Sequence, residues 1–356
     1  MTQSHFERHE DARMKIAAAV ARFFAASKTA GLIAGVYPPG SRGRESYWVF
    51  SEGSISTTAA KPPDPRTIWQ IGSLTKTMTA TLLAAAVADG RLALVDPVAD
   101  FTPAGVVLPS YLDGNGTTTQ IRFVDLGTQT SSLPLDPNDV PAGGYTIQSM
   151  YAYLKAYALA ARSGSIWNYS NVGFGLLANV LASLANFDSF SELFEDWKRK
   201  SDLPLDDMVI TPNPEQRERL ASGYDATGKQ APWRTVTWPA FDGSGALYGT
   251  LDDLMVWTAY NLGRLSSPFE GLPDITQRVY FDDGTNMMGL AWQYFPLPGG
   301  AGLYLGKDGQ TNGFSSFLGL MREQNIGVAI LCNNSAAVPQ NLATEILQIL
   351  VEQTEG

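Results

Sequence analysis

The chain has 356 residues, 44% of them hydrophobic, 11% aromatic and 17% charged. This balance excludes a mainly disordered or fibrous chain and allows a core that buries roughly 75% of the unfolded surface. With 35 acidic against 25 basic residues the formal charge is −10 and no Lys/Arg run offsets it, so phosphate backbones and anionic lipid are repelled and neither nucleic acid nor a membrane is an expected partner.

The polar N-terminal stretch holds the only two histidines, His5 and His9, so no imidazole is left for a Ser-His-Asp triad or a His-rich site, and no metal or cofactor is expected. Ile16 to Ala26 is interrupted by Arg22, where a secretory apolar core runs unbroken. The sequence as written therefore reads as a cytoplasmic chain or as one whose leader has been removed. No apolar run reaches the ~18 residues of a membrane span.

In chain order, Asp11 to Ala30 repeats apolar residues at helical spacing, and Gly31 to Tyr37 and Ser46 to Ser51 read as a strand hairpin around Pro38 to Gly43. A helix opens at Ser73, with Leu74, Met78, Leu82 and Val87 near one stripe. The stretch from Leu92 to Pro239 is richer in helix and loop, with Pro134 to Gly144 and Ile210 to Pro214 as surface loops. Gly173 to Ala178 nearly matches a dinucleotide fingerprint but follows no strand pattern, and reads as helix packing. After the loop Pro296 to Gly302, three strands follow at Leu303 to Gly306, Phe314 to Met321 and Ile326 to Cys332, then a closing helix Pro339 to Glu352. The single cysteine, Cys332, ends an apolar run and reads as a buried strand thiol.

Strands from both ends joined by short loops predict an antiparallel sheet whose faces the terminal helices cover. The expected plan is an α/β (α+β) fold: residues 1–91 and 240–356 form a discontinuous sheet domain, residues 92–239 a mostly helical insert, and the site lies between them.

Three short motifs carry possible chemistry. Ser73 and Lys76, three apart at a helix start, share a face, and the free N–H groups there favour a developing oxyanion and a neutral amine near the hydroxyl. This Ser-x-x-Lys occurs once in the chain. Tyr169-Ser170-Asn171 precedes a helical segment; its phenol beside two amines would serve as a general base, or the pair is simply an N-cap Asn next to a packing Tyr. Lys307-Asp308-Gly309 ends a predicted strand; Gly309 lets a substrate lie close to the backbone, or Lys307 is a solvated edge charge.

In this order the motifs resemble the S-x-x-K, Y-x-N and K-T-G sets of the serine β-lactamase and penicillin-binding superfamily, in particular class C β-lactamases and DD-peptidases of the AmpH type. Ile71 to Ala80, Leu126 to Pro134 and Asn325 to Leu331 are similar to stretches of that family, and the resemblance covers nearly the whole chain. It implies that Ser73 forms an acyl-enzyme, that Lys76 and Tyr169 share the proton traffic, and that Lys307 holds the phenol's pKa down and meets a substrate carboxylate. It also implies that the backbone N–H groups of Ser73 and Gln310 form an oxyanion hole and that Asn171 binds an acyl-side amide. Gln129, also a substrate-binding candidate, stands where relatives often have His. Asp308 replaces the motif threonine with an anion that repels a carboxylate if it faces the cleft, and strand alternation predicts that it points away from Lys307 and Gly309.

The expected activity is a serine hydrolase acting on β-lactams or D-Ala-D-Ala-type peptides. A class C-like carboxylesterase and a penicillin-binding sensor whose acyl-enzyme barely turns over are the alternatives.

Overall fold

The structure, a computed structural model, describes residues 3–41, 43, 45–139, 144–231 and 238–355. Part of the predicted loop Pro134 to Gly144 therefore lies outside the described residues.

Eight antiparallel strands form one sheet in the spatial order Trp48–Gly53, Gly31–Tyr37, Ile326–Cys332, Ser315–Met321, Leu303–Gln310, Gln293–Pro296, Met287–Met288, Phe281–Asp282. N- and C-terminal strands meet as its second and third members, where Leu32 faces Cys332. All seven residues of Gly31–Tyr37 and of Ile326–Cys332 are buried, because the sheet is covered on both sides and alternation becomes a continuous apolar run.

The two sides divide by strand parity. Leu32, Ala34 and Val36 pack with Ile16 and Val20 of the helix Gln3–Ser27 and with Leu342, Ile346 and Leu350 of the helix Pro339–Glu355. Ile33 and Tyr37 face the larger cluster that includes Leu251, Leu254 and Met255 of the helix Leu251–Asn261. Both terminal helices thus share one face, tied at the surface by Arg22 and Glu345 at 2.5 Å. The expectation that they cover both faces is corrected: the antiparallel order sets the two chain ends side by side. The first helix begins eight residues earlier than its apolar repeat, since exposed Glu7 and Arg8 are good helix formers that carry no core signal. His9 is accordingly helical, its ring packed edge-on against Trp48 with centroids 5.7 Å apart.

The helix Thr75–Ala88 departs from its predicted stripe, because Thr75 to Ala86 are all buried. The threonines manage this by bonding their hydroxyls internally: Thr75 to the Gly72 carbonyl at 2.7 Å, Thr77 to that of Leu74 at 2.7 Å, and Thr79 to that of Gly243 at 2.6 Å. A polar pattern here marks a central helix whose hydroxyls are satisfied, not a solvated face. Among the described residues, no helix is long and apolar enough to cross a membrane.

Candidate active site

Ser73 lies in the 3-10 turn Gly72–Leu74 that runs into this helix. The turn is seated by two close backbone approaches. Gly72 has φ +55°, and a Cβ there would lie 2.7 Å from the Gln310 nitrogen. A Cβ on Gly309 would meet the Ile71 carbonyl oxygen at 2.1 Å, and Ser316 donates to that same oxygen at 2.8 Å. Only glycine permits such contact. The expectation that Gly309 opens room for substrate is corrected: its open side receives the nucleophile's own turn. The Gln310 side chain bonds the Ser335 carbonyl.

Lys76 is fully buried. Its Nζ donates to Ser73 Oγ at 3.0 Å, to Asn171 Oδ1 at 2.7 Å and to the Ser244 carbonyl at 2.6 Å. The three donors of the ammonium are thereby used, which fixes the amine beside the hydroxyl. Burial, reinforced by the Lys307 charge, pushes the Lys76 amine below the usual lysine range against the pull of Tyr169.

Tyr169 sits between the two amines, its ring centre 4.9 Å from Lys76 Nζ and 5.0 Å from Lys307 Nζ, and the Ser73 hydroxyl helps to hold its phenol down. Burial pushes that phenol up, but Lys307 and Lys76 together outweigh it, and the net direction is down. Gln129 holds the backbone on both sides of this tyrosine. With φ +63°, it accepts from Asn168 N–H through its backbone oxygen at 2.7 Å and from Ser170 N–H through Oε1 at 2.8 Å. The helix that follows, Asn171–Leu184, is capped by Ser170, whose Oγ accepts from Gly173 N–H at 2.8 Å. Asn171 is therefore the first helical residue rather than the cap, and its side chain is free to reach Lys76.

Lys307 is buried inside the strand Leu303–Gln310, which runs four residues beyond its predicted end at Gly306. Its Nζ lies 2.6 Å from Asp308 Oδ1. Burial lowers the Lys307 amine, but Asp308 and Tyr169 outweigh it and hold it above the usual lysine range; Lys307 in turn holds the Asp308 carboxyl below the usual carboxylate range. The expectation that Asp308 points away from Lys307 is thus corrected. Pairing with the neighbouring strand stops at Gly306 opposite Gln293, so along Lys307–Gln310 that edge is open and the Asp308 side chain curls round it to meet the amine.

These groups line one cleft of about 370 Å³, walled by Ser73, Gln129, Tyr169, Asn171, Lys307, Asp308 and Gln310, with Asp136 and Trp167 at its rim. All eight residues singled out from the sequence fall at this cleft or, for Lys76 and Gly309, directly behind Ser73. The sequence reading missed Ser244, which acts through a backbone carbonyl and leaves no side-chain signal. It also missed Asp136, which accepts from Asn171 Nδ2 at 3.0 Å; its place two residues beyond the stretch Leu126 to Pro134 is the signal that could have found it. Among the described residues, no group of three or more His, Cys, Asp or Glu is arranged to hold a metal ion.

A buried amine and a phenol converging on one serine hydroxyl, on a mixed α/β fold with a large antiparallel sheet, define a serine hydrolase of the acyl-enzyme class. The chain belongs to the beta-lactamase family, whose sequence pattern matches residues 6–351. It is 30% identical over 318 residues to the D-alanyl-D-alanine-carboxypeptidase/endopeptidase AmpH of Escherichia coli K12, covering 83% of this chain and 78% of that one. It is 27% identical over 331 residues to a beta-lactamase of Pseudomonas fluorescens, covering 82% and 86%. A solved class C beta-lactamase shares the fold with a TM-score of 0.81 at 21% identity over 95% of this chain and 96% of that one. A beta-lactamase/D-alanine carboxypeptidase from Yersinia pestis does so at 0.79, with 22% identity over 96% and 99%.

Proposed function

We propose that Ser73 is the nucleophile of a two-step acyl transfer to water, with Lys76 and Tyr169 as its proton relay. The observation that carries this reading is the 3.0 Å hydrogen bond from Lys76 Nζ to Ser73 Oγ at the wall of an open cleft. In the first step Oγ attacks the substrate carbonyl carbon and its proton passes to the Tyr169–Lys76 pair. Backbone N–H groups of Ser73 and Gln310 meet the resulting oxyanion. The bond to the leaving group then breaks, and that group departs with the transferred proton. Water repeats the sequence on the acyl ester and releases the acid, restoring the serine. In this reading the cleft lies between two parts of the chain, residues 1–91 with 240–356 supplying Ser73 and Lys307, and residues 92–239 supplying Gln129, Tyr169 and Asn171.

The names of the relatives support β-lactam or D-Ala-D-Ala-type peptide substrates. A second reading, a class C-like carboxylesterase, is favoured by the 2.6 Å Lys307–Asp308 pair, which occupies the amine that would otherwise receive a substrate carboxylate.

The test sets a chromogenic cephalosporin beside a short-chain nitrophenyl ester, with intact-mass spectra and the Ser73→Ala variant. Ser73-dependent cephalosporin turnover supports the first reading and ester cleavage alone the second. A lasting drug-sized adduct without turnover indicates a sensor, and full activity in Ser73→Ala would sink the nucleophile assignment.

A further inference from the structure

We infer that this cleft selects peptidyl or aminoacyl donors with a free ammonium in the acyl portion and no carboxylate in the leaving group. The inference rests on the acyl-enzyme reading above and concerns which substrates that serine accepts.

The charged side chains lining the cleft are Asp136, Lys307 and Asp308, two carboxylates against one cation. The single cation is already paired at 2.6 Å with its own neighbour, so a carboxylate arriving there must displace Asp308 or face it. Lys76 offers nothing further, since its amine is saturated by Ser73, Asn171 and Ser244. The Asn171 amide is occupied at both ends, with Lys76 on its oxygen and Asp136 on its nitrogen. What is left in Asn171 is the second Nδ2 hydrogen, a donor for a carbonyl oxygen of the acyl group.

Also open on the acyl side is the exposed Asp136 carboxylate, which receives one hydrogen bond there, from Asn171. Its loop is stitched to the tyrosine segment, with Asn168 Nδ2 donating to the Leu133 carbonyl at 2.7 Å, Ser170 Oγ to that of Pro134 at 2.7 Å and Asn171 N–H to that of Leu135 at 2.8 Å. The carboxylate is thus held in place, ready for a cation.

A second, independent feature of the same wall calls for a ligand. Gln129 is 2% exposed, and its Nε2 has no hydrogen-bond partner. The amide cannot be turned over to relieve this, because Oε1 accepts from Ser170 N–H. A buried amide donor without an acceptor is costly, and a small shift that uncovers it on binding lets an oxygen of the acyl group supply one. An ammonium for Asp136 and a carbonyl oxygen for Gln129 are together the acyl half of a short peptide with a free amino terminus.

The experiment compares Ala-Ala p-nitroanilide, of both chiralities, with its N-succinyl form, and phenyl acetate with 3-carboxyphenyl acetate; p-nitrophenyl butyrate serves as the check on acylation. The expected kcat/KM favours the free amino terminus over the succinylated one, and the uncharged phenyl ester over the carboxylated one, by about tenfold or more each. Asp136→Asn brings the first ratio close to one, and Asp308→Thr does the same for the second. Turnover of the butyrate with equal or reversed preferences, or ratios that both variants leave unchanged, overturns the inference alone. No Ser73-dependent turnover of any ester or anilide overturns the acyl-enzyme reading and this inference with it.

Discussion

Gly309 and the Ile71 carbonyl touch where no side chain on the glycine would fit: a Cβ there would sit 2.1 Å from the Ile71 oxygen. The sheet thereby presses directly on the turn that presents Ser73, and the position of the nucleophile depends on the absence of one methyl group. Gly309→Ala should push the turn and strand apart. We expect kcat/KM to fall about 100-fold or more as the oxyanion donors lose alignment, with a thermal midpoint lower by several degrees. Unchanged kinetics in a variant with native melting would contradict this account of the seating.

The Asp308 carboxylate raises the pKa of both Tyr169 and Lys76 from its place beside Lys307. The proton acceptor of the first step must be deprotonated, so activity is lost as pH falls through its pKa. Removing the carboxylate in Asp308→Thr lowers that pKa, and the acid limb of the kcat/KM profile should move to lower pH. A limb that stays in place, or moves upward, would show that this carboxylate does not couple to the relay.

Tyr169→Phe keeps the ring between the two lysines but removes the phenol that they hold down. The water-dependent second half-reaction should slow by about 100-fold or more, so that acyl-enzyme accumulates. Rapid-quench mass spectrometry reads this directly. A steady state equal to wild type with no trapped adduct would assign the proton transfer to Lys76 alone.

Asp253 caps the helix Leu251–Asn261 through Thr250 and is buried, with Asp207 N–H donating to it at 3.3 Å. Burial raises its carboxyl from 3.8 to about 6, despite the hydrogen bonds from Thr250, with Asp207 adding to the rise. A carboxyl raised on folding contributes stability that is complete below its unfolded pKa and is lost as pH rises through the folded value. The window therefore runs from about pH 4 to about pH 6, with a contribution on the order of 3 kcal/mol. Asp253→Asn, which cannot ionise, should remove this part of the pH dependence. Urea unfolding across pH 4 to 7.5 checks it, and parallel curves for the two proteins would refute it.

The central strands were readable because Ile326 to Cys332 and Gly31 to Tyr37 are unbroken apolar runs, and the observed bounds of both match the reading. The short edge strands Phe281–Asp282 and Met287–Met288 were not, since two residues cannot display a period. The Lys307 segment looked like a strand end because Lys, Asp and Gly are poor strand formers; two glycine contacts and pairing with Ser315–Met321 hold it extended instead. The convergence of Ser73 and Lys76 with Tyr169 and Lys307 was legible only through motif order, because motifs more than ninety positions apart leave no local trace of their meeting. The inward turn of Asp308 was not legible, since it depends on where the neighbouring strand stops pairing.

The helices Gln3–Ser27 and Pro339–Glu355 share the side of the sheet opposite to the one from which Lys307 reaches Tyr169. A resin, sensor chip or fused partner attached through a side chain on the outer surface of either helix would therefore sit behind the sheet and leave the mouth of the cleft unshaded. Immobilised protein should turn over large, polymer-linked donors as readily as protein free in solution.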